Sequence, residues 1–390
     1  MLLEVVRWVV RVVALAPFAY YLLAIYSARR FFIEQRRRPA PAADFTPPVS
    51  ILKPVRGLDH EAYENFSSFC RQDYPQYEIL FGVSDADDPA IPVIQKLARD
   101  YPGRSIRLLV GAQPLGSNGK VNKLCRLARE AQHDVLVISD SDIRVGPDYL
   151  RAVMAPLGDP QVGAVTCMYL GLADRQLGAE LEAVGTAADY FAGVLVARQL
   201  EGMQFGLGST IATTRQHLEE IGGFEALVDQ HSDDFELGKR IAARGHGVEL
   251  SDYAVWTIYP VQTPRSYFAH QLRWARTTRY CRPWGYLGLL LTYGLPWSIA
   301  AALASRSTAV AAGYLGTYLV LRFLVAWTVG IWGLKDPVLR RSWWLLPFRD
   351  ALHFCVWLAS FSSNRITWRG SEFVLYKDRM LAVGSRTAPC

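Results

Sequence analysis

The stretch VLVISDSDIRV, residues 135–145, carries the pattern that decides the fold class and the chemistry of this chain. A short apolar run, which predicts a buried strand, ends directly at Asp140 and Asp142. Two carboxylates so close together repel each other, but they can share one divalent cation, and oxygen ligands favour Mg²⁺ or Mn²⁺. The simpler interpretation is a turn that closes the strand and leaves both acids in solvent. The pattern alone leaves both interpretations open.

Strand patterns and helical patterns alternate through the part of the chain that contains this stretch. The strand patterns cover residues 49–54, 77–85, 105–111 and 134–140. Such alternation predicts an α/β fold with a doubly wound, mostly parallel sheet. Ligands of these sheets bind beyond the carboxyl ends of the strands. Because two of the strands end in acids, at Asp85 and Asp140, we expect both side chains at the edge where a ligand binds.

Composition indicates a soluble domain joined to membrane segments. Of the 390 residues, 51% are hydrophobic and 20% are charged. This composition is more apolar than that of a typical soluble protein and more polar than that of a transporter with many membrane spans. Basic residues cluster beside the apolar runs, as at Arg36 to Arg38 and at Arg340 and Arg341. This placement favours anionic lipid headgroups as partners and argues against nucleic acid. Six cysteines without a C-x-x-C pair argue against a zinc site or a disulfide framework.

The apolar runs predict the domain organisation. Residues 1–30 are expected to be an N-terminal transmembrane anchor, with a cleaved signal peptide as the alternative, and residues 31–48 a basic and Pro-rich linker. The arginines after the anchor place the domain 49–285 in the cytosol. Residues 286–332 predict a transmembrane helical hairpin. Residues 333–390 predict an interfacial, re-entrant or transmembrane helix followed by a cytosolic tail.

Three further polar clusters occur in order along the chain. They are DADDP at 85–89, SDDFELGKRIAARG at 232–245 and HQLRWAR at 270–276. Taken singly, they are typical of a turn, of a helix N-terminus with favourable charge, and of a basic patch beside a membrane. Together with the two aspartates of the opening stretch they form an ordered series that chance explains poorly.

This series resembles the D1, D2, D3, (Q/R)xxRW signature of inverting, membrane-bound glycosyltransferases. The closer resemblance is to ceramide glucosyltransferases and their bacterial relatives, which include enzymes acting on hopanoid lipids. The matching blocks stand in family order between about residues 49 and 370, and they are VSILKPVRGLD, FCRQDYPQYEILFGVSDADDPAI, VISDSDIRVGPDYL, IGGFEA, DDFELGKRIAARG and ITWRG. The resemblance implies a nucleotide-sugar-binding fold of the GT-A type in a bacterial inner-membrane protein whose catalytic domain is cytosolic.

The resemblance also implies roles for the acids. Asp234 would be the catalytic base, and Asp85 would lie near the uracil or ribose of the donor. Asp140 and Asp142 would hold the nucleotide diphosphate through a divalent cation, Mg²⁺ or Mn²⁺, with Asp142 the better candidate ligand. Weaker candidates for phosphate or uridine contacts are Lys53 and Lys120. The simpler interpretation is that both are ordinary surface lysines.

The basic block near the membrane departs from the family pattern at one position. Arg273 and Trp274 match the RW of the signature and would bind the donor near its diphosphate. The first position of the signature is His270 here, and Gln271 follows it. Either His270 substitutes for the family residue, or Gln271 takes its role from a shifted backbone.

The resemblance implies a reaction that moves a hexose from a UDP-sugar to a hydroxyl of a membrane lipid. The family favours glucose as the sugar and ceramide as the lipid. The alternatives are transfer of N-acetylglucosamine or another sugar to a hopanoid or other lipid alcohol, a processive polysaccharide synthase, and a binding protein without activity. Two apolar segments, 178–204 and 343–361, are candidates for a lipid access path, with core packing and anchoring as the simpler interpretation. Arg322 lies inside an apolar stretch, where an arginine usually faces protein, a headgroup or a polar cavity.

Overall fold

Two units make up the chain, one dominated by a β-sheet and one by helices. The structure is a computed structural model that describes residues 1–37, 45–111, 113–173, 176–259, 262–368 and 370–383. The helical unit comprises Met1–Arg37, Ala173–Leu200 and Val261–Thr367. The sheet unit comprises Arg38–Leu172, Glu201–Pro260 and Trp368–Cys390.

Helices and strands are numbered along the described chain. The α-helices are α1 (Leu2–Val13), α2 (Ala16–Arg37), α3 (Ala62–Cys70), α4 (Ala90–Asp100), α5 (Gly119–Glu130), α6 (Tyr149–Met154), α7 (Leu177–Gly185), α8 (Phe191–Glu201), α9 (Arg215–Glu220), α10 (Asp233–Ala243), α11 (Pro264–Cys281), α12 (Pro283–Gly288), α13 (Gly294–Ala304), α14 (Thr308–Ala326), α15 (Pro337–Ser342) and α16 (Leu346–Ser360). Segments with π-helical hydrogen bonding are Thr186–Tyr190 and Trp327–Gly333. The strands are β1 (Val49–Pro54), β2 (Tyr77–Val83), β3 (Ser105–Val110), β4 (Val135–Ser139), β5 (Ile143–Arg144), β6 (Val162–Leu172), β7 (Thr210–Thr214), β8 (Gly247–Ile258), β9 (Arg365–Trp368), β10 (Ser371–Tyr376) and β11 (Arg379–Ala382).

The large sheet has the strand order β3-β2-β1-β4-β7-β6-β8-β5. The pairs β1–β2, β2–β3, β1–β4 and β6–β8 are parallel, whereas β7 runs antiparallel to β4 and β6, and β5 runs antiparallel to β8. The predicted α/β fold with a mostly parallel sheet is therefore confirmed. The antiparallel strands β5 and β7 lie beyond the four strand patterns that the sequence reveals.

The order β3-β2-β1-β4 creates the feature that positions the site. The chain moves outward from β1 to β3 and then returns to the other side of β1 as β4. Sheets of this kind bind ligands in the crevice at such a reversal, beyond the carboxyl ends of the flanking strands. Strands β1, β2 and β4 are buried along their whole length, as expected for parallel strands with both faces covered. The aromatic contact of Phe66 with Phe81, with ring centroids 5.0 Å apart, packs α3 against β2.

The helical unit contains the apolar helices. Leu2–Arg37 and Thr308–Gly333 are long and apolar enough to cross a membrane, and the pair Pro283–Thr292 and Gly294–Ala304, bent by 48°, adds a third if it counts as one span. Helix α2 ends at Arg37, so helical structure reaches into the predicted linker 31–48, of which residues 38–44 lie outside the described residues. The predicted domain boundaries, and a membrane role for α16, stay predictions.

Candidate active site

The turn after β4 holds the two aspartates of the opening stretch. Asp142 is fixed against the end of β8, because its carbonyl accepts from the Ile258 N–H at 3.2 Å and its Oδ2 accepts from the Thr257 hydroxyl at 3.0 Å. Both carboxylates are half-buried. The turn therefore presents Asp140 and Asp142 from a fixed backbone at the crevice between β1 and β4, rather than leaving them in solvent.

Helix α5 brings Lys120 to this turn. Asn118 caps the helix, with its Oδ1 accepting from the Lys120 N–H at 3.0 Å. The Lys120 Nζ atom lies 2.7 Å from Asp140 Oδ1 and 3.4 Å from Asp233 Oδ2. Lys120, predicted as a weak candidate, thus links the acidic turn after β4 to the acids that begin α10. An ordinary surface lysine does not fit this position, because the side chain is only 16% exposed.

Gly208 shows how closely Asp234 approaches the turn. A Cβ atom at Gly208 would stand 2.7 Å from Asp234 Oδ2 and 3.7 Å from Asp140 Oδ2. The two carboxylates, separated by more than ninety positions in the sequence, therefore face the same small space. Because Gly208 has no side chain, the space between the two carboxylates stays open.

Burial and neighbouring acids raise the pKa of two of these carboxyls. The pKa of Asp142 is raised to about 6, first by burial and then by Asp140 and Asp59. Asp59 was missed by sequence reasoning, although it follows β1 at the same edge of the sheet. The Ser141 hydroxyl donates to its carboxylate. The edge of the sheet therefore carries three neighbouring aspartates, a charge pattern that suits a bound cation.

Asp234 shows the same effect. Its pKa is raised to about 6, first by burial and then by Asp233, while Lys120 acts in the opposite direction. Burial opposes the charge of Lys120 as well, but Asp140 and Asp233 outweigh it and hold the lysine pKa above its usual value. Asp234 can therefore exchange a proton near neutral pH, while Lys120 stays charged.

Lys53 lies below the turn, fully buried at the end of β1. Its Nζ atom donates to the Asp140 carbonyl at 2.9 Å and to Ser139 Oγ at 3.3 Å, and it lies 3.6 Å from the centroid of the Phe69 ring. Burial lowers the pKa of Lys53 to about 7. Through these contacts Lys53 holds the backbone at Asp140 in place. Its predicted contact with the phosphate or uridine of the nucleotide sugar stays a prediction.

Asp85 lies in the exposed loop after β2. Its carbonyl accepts from the Asp88 N–H at 3.2 Å, and Asp88 Oδ2 accepts from the Gly57 N–H at 2.9 Å. The loops after β1 and β2 are thereby joined at the edge that carries the acids. The predicted contact of Asp85 with uracil or ribose stays a prediction.

Comparison with known proteins identifies the family. The model of the family described as Glycosyl transferase family 21 matches residues 9–381 of this chain. The chain belongs to Glycosyl transferase family 21. The resemblance drawn from the ordered acids is thereby confirmed, and the chain is a glycosyltransferase.

Individual relatives agree with this assignment. The chain is 25% identical over 342 residues to ceramide glucosyltransferase 1 of Caenorhabditis elegans, covering 84% of this chain and 72% of that protein. It is 31% identical over 162 residues to ceramide glucosyltransferase of Gibberella zeae, covering 38% of this chain and 31% of that protein. Among solved structures, the mannosyltransferase PcManGT of Pyrobaculum calidifontis, in complex with GDP-Man and Mn²⁺, has a TM-score of 0.53 at 21% identity, covering 91% of this chain and 99% of that one. This last likeness supports the fold.

The carboxylate oxygens at the turn after β4 of this glycosyltransferase are suitable ligands for a divalent cation. No group of three or more His, Cys, Asp or Glu side chains within the described ranges is arranged as a metal site. Mg²⁺ and related ions at phosphate sites, however, are commonly held by one or two carboxylates together with water and the phosphates themselves. Asp140 and Asp142 supply two half-buried carboxylates, and burial together with Asp140 and Asp59 raises the pKa of Asp142 to about 6, so a neighbouring positive charge would favour its ionised form.

The (Q/R)xxRW block lies on helix α11 of the helical unit. His270 Nδ1 is 2.6 Å from Oε1 of the buried Glu182, whose Oε2 accepts from Gln262 Nε2 at 2.6 Å. The Trp274 ring lies 5.0 Å from the His270 ring and 6.3 Å from that of Tyr190. His270 is thus engaged with Glu182. The donor contacts predicted for His270 and Trp274, as well as for Gln271 and Arg273, stay predictions.

A C-terminal hairpin of β10 and β11 supports the start of α10, which sequence reasoning missed. The Met380 N–H donates to the Asp229 carbonyl at 2.8 Å, and the His231 N–H donates to the Asp378 carbonyl at 3.4 Å. The Gln230 side chain also donates to Asp378 Oδ2 at 3.4 Å. Residues 229–231 lead directly into α10, so the hairpin holds the segment that positions the acids at the start of this helix.

Proposed function

We propose that this glycosyltransferase moves glucose from UDP-glucose to the primary hydroxyl of a membrane lipid, ceramide, with inversion at the anomeric carbon. The observation that carries the proposal is the approach of the Asp234 and Asp140 carboxylates to one small space beside Lys120. The ceramide glucosyltransferases among the relatives and the candidate membrane spans support a lipid acceptor. In this proposal the sheet unit faces the cytosol of a bacterial inner membrane.

The acids after β4 would bind the donor. Asp140 and Asp142 would hold a divalent cation, which would supply positive charge against the charge that develops on the leaving diphosphate. Lys120 already balances part of the charge of Asp140, and it stays positive at neutral pH. For Arg273 and Trp274, the family signature implies a role in donor binding. Charges arranged in advance in this way are often the largest contribution to catalysis.

Asp234 would act as the general base. The lipid oxygen attacks the anomeric carbon, the bond from that carbon to the diphosphate oxygen breaks, and the hydroxyl proton passes to Asp234. With a pKa of about 6, Asp234 is mostly ionised at neutral pH and still basic enough to accept this proton. A single displacement through an oxocarbenium-like state gives a β-linked product.

The test is an acceptor and donor screen. Membranes that carry the chain are incubated with labelled UDP-glucose, UDP-galactose or UDP-N-acetylglucosamine and with ceramide, a hopanoid polyol or diacylglycerol, and products are identified by mass spectrometry. We expect β-glucosylceramide. A product with another sugar or lipid would replace the substrate assignment, and a polymer would indicate a processive synthase. An absence of transfer from all three donors, in membranes where the chain is folded, would refute the proposal.

A further inference from the structure

A buried charge cluster occupies the helical unit. Arg322 of α14 forms a two-pronged pair with Asp350 of α16, through Nε at 2.8 Å and Nη2 at 2.9 Å. Its Nη1 donates to the Ala188 carbonyl at 3.2 Å, and Tyr318 donates to Asp350 Oδ2 at 2.9 Å. This part of the cluster is fully hydrogen-bonded, so it explains how Arg322 is tolerated inside an apolar helix.

Beside this pair, two nitrogen atoms of a second arginine lack hydrogen bonds. Arg349 is 4% exposed, and its buried Nε and Nη1 atoms have no hydrogen-bond partner within the described part of the chain. Nη1 forms an ion pair with Asp189 Oδ2 at 3.4 Å, but neither atom has a hydrogen bond among the described residues. The buried hydroxyl of Tyr293 is the third such group. His353 connects them, because its Nδ1 is 3.9 Å from Asp189 Oδ2 and its ring is 5.4 Å from the Tyr293 ring.

Leaving such groups unpaired is costly. A buried donor or acceptor without a hydrogen-bond partner destabilises the folded protein, and a charged group does so more strongly. The backbone nevertheless makes room for the Arg349 guanidinium, since a Cβ atom at Gly185 would stand 2.5 Å from Nη2 and 2.8 Å from Cζ. Asp189 lies in the π-helical segment Thr186–Tyr190 that follows, and π-helical turns often mark functional positions. These observations indicate a site that a ligand completes.

We propose that Asp189 and Arg349 bind the polar headgroup of the lipid acceptor, an inference that rests on the proposed function. Arg349 offers hydrogen-bond donors and needs an acceptor oxygen, whereas Asp189 Oδ2 needs a donor. A neutral headgroup with a hydroxyl and a neighbouring amide or second hydroxyl meets both needs. A phosphate or an ammonium group does not, because two arginines and two aspartates already balance the charge of the cluster.

The cluster is reachable from outside the unit. The side chains of Asp189 and His353 are 22% and 31% exposed, whereas Arg349 is 5% exposed behind them. The two segments 178–204 and 343–361, which the sequence suggests as a lipid access path, contribute these residues. A headgroup can therefore enter at Asp189 while its hydrocarbon tails stay in lipid.

The experiment separates acceptor binding from donor chemistry. Asp189→Asn and Arg349→Gln are compared with the unaltered chain for the KM of a short-chain ceramide, for the KM of UDP-glucose and for UDP-glucose hydrolysis without acceptor. We expect the ceramide KM to rise roughly tenfold or more in both variants, the loss typical of a hydrogen bond to a charged group, while both donor measurements stay unchanged. Arg7→Gln is the matched control, because Arg7 is a partly buried arginine of the same unit that pairs with Glu4 at 2.8 Å and lies outside both segments.

A second readout keeps the proposal testable if a variant folds poorly. A photoreactive short-chain ceramide is crosslinked to the unaltered chain without UDP-glucose and competed with ceramide or with an analogue methylated at the amide nitrogen and the hydroxyls. Weak competition by the methylated analogue supports the proposal. Equal competition, or an unchanged ceramide KM in folded variants, overturns it. A chain that crosslinks as expected but transfers no sugar would instead refute the proposed function.

Discussion

In the sheet unit aspartates crowd against one another, whereas in the helical unit the buried aspartates face arginines. Around the turn after β4, burial and, after it, neighbouring carboxylates raise the pKa of Asp142 and Asp234 to about 6. In the helical unit, Asp350 is paired with Arg322 at 2.8 Å and Asp189 lies beside both Arg322 and Arg349. Both clusters are at least half-buried, but only the first accumulates like charge.

The difference teaches what each cluster can bind. Crowded carboxylates are stabilised by a cation, and a cation in turn attracts a diphosphate, so the sheet-unit cluster suits the charged half of the reaction. A balanced cluster gains nothing from an ion, because desolvating a further charge is costly. It gains from a neutral group that completes its hydrogen bonds. Under the two proposals, the two clusters thus divide cation and diphosphate binding from recognition of a neutral lipid.

The strongest test of the sheet-unit cluster is Asp234→Asn. We expect kcat to fall about 10²–10⁴-fold, because the base is lost while its shape is kept. UDP affinity, measured by calorimetry, should stay within a few-fold of the unaltered value. Asp73→Asn, at a side chain that is 80% exposed, is the control and should leave both measurements unchanged. A loss of UDP affinity as large as the loss of activity would show that Asp234 binds donor instead of acting as base.

Removal of the divalent cation should have the next largest effect. Treatment with a chelator is expected to lower transfer more than a hundredfold, because a cation at a phosphoryl oxygen is worth several kcal/mol. Added Mn²⁺ or Mg²⁺ should restore activity, and Asp142→Asn should shift the half-saturating concentration upward. Ceramide crosslinking at the helical-unit cluster should not change, which sharpens the contrast between the units. Full activity after exhaustive chelation would exclude the cation from the reaction.

The position of the acids at the edge of the sheet was predictable, because the apolar pattern of a strand shows where that strand ends. The apolar run before Asp140 predicts a strand, and the reversal of strand order places its carboxyl end at the crevice. The ordered series of acids and the RW block led to the family without any structure. These signals are local in the sequence or shared with relatives.

Other features depend on contacts that no local pattern encodes. Lys120 reaches Asp140 because Asn118 fixes where α5 begins, and a lysine near a helix start is otherwise typical of a surface. Gln230 contacts Asp378 across 148 positions of the chain. The pairing of Arg322 with Asp350 depends on how α14 packs against α16, which hydrophobic periodicity does not specify. Long-range packing therefore supplies what the sequence pattern leaves open.

Removal of the C-terminal hairpin should have an intermediate effect. A chain that ends at Gly370 lacks the hydrogen bonds that hold residues 229–231 before α10. We expect kcat to fall about tenfold to a hundredfold, because displacement of catalytic groups by about 1 Å has effects of this size. The ceramide KM should stay unchanged, since the hairpin belongs to the sheet unit. A chain that lacks only residues 384–390 is the control, and equal activity of the two truncated chains would refute a supporting role.

The pH dependence should show the smallest effect. The pKa of Asp234 is raised from 3.8 to about 6, so the ionised base predominates above pH 6 and is lost as the pH falls through that value. We therefore expect kcat/KM to change less than about twofold between pH 8 and 7 and to fall about tenfold for each pH unit well below 6. Protonation of Asp142 in the same range should also weaken cation binding, so the profile is measured at saturating Mn²⁺.

The helical unit supplies the comparison for this profile. Asp189→Asn should keep the same acidic limb in kcat, because the balanced cluster contributes no base, and only the ceramide KM should differ. Asp234→Asn should lose the limb and leave a low, flat residual rate. If the unaltered chain retained its full kcat/KM down to pH 5, a pKa of Asp234 raised by burial and by Asp233 would not control the rate. If Asp189→Asn moved the limb instead, proton transfer would depend on the helical unit, and the division between the two clusters would be wrong.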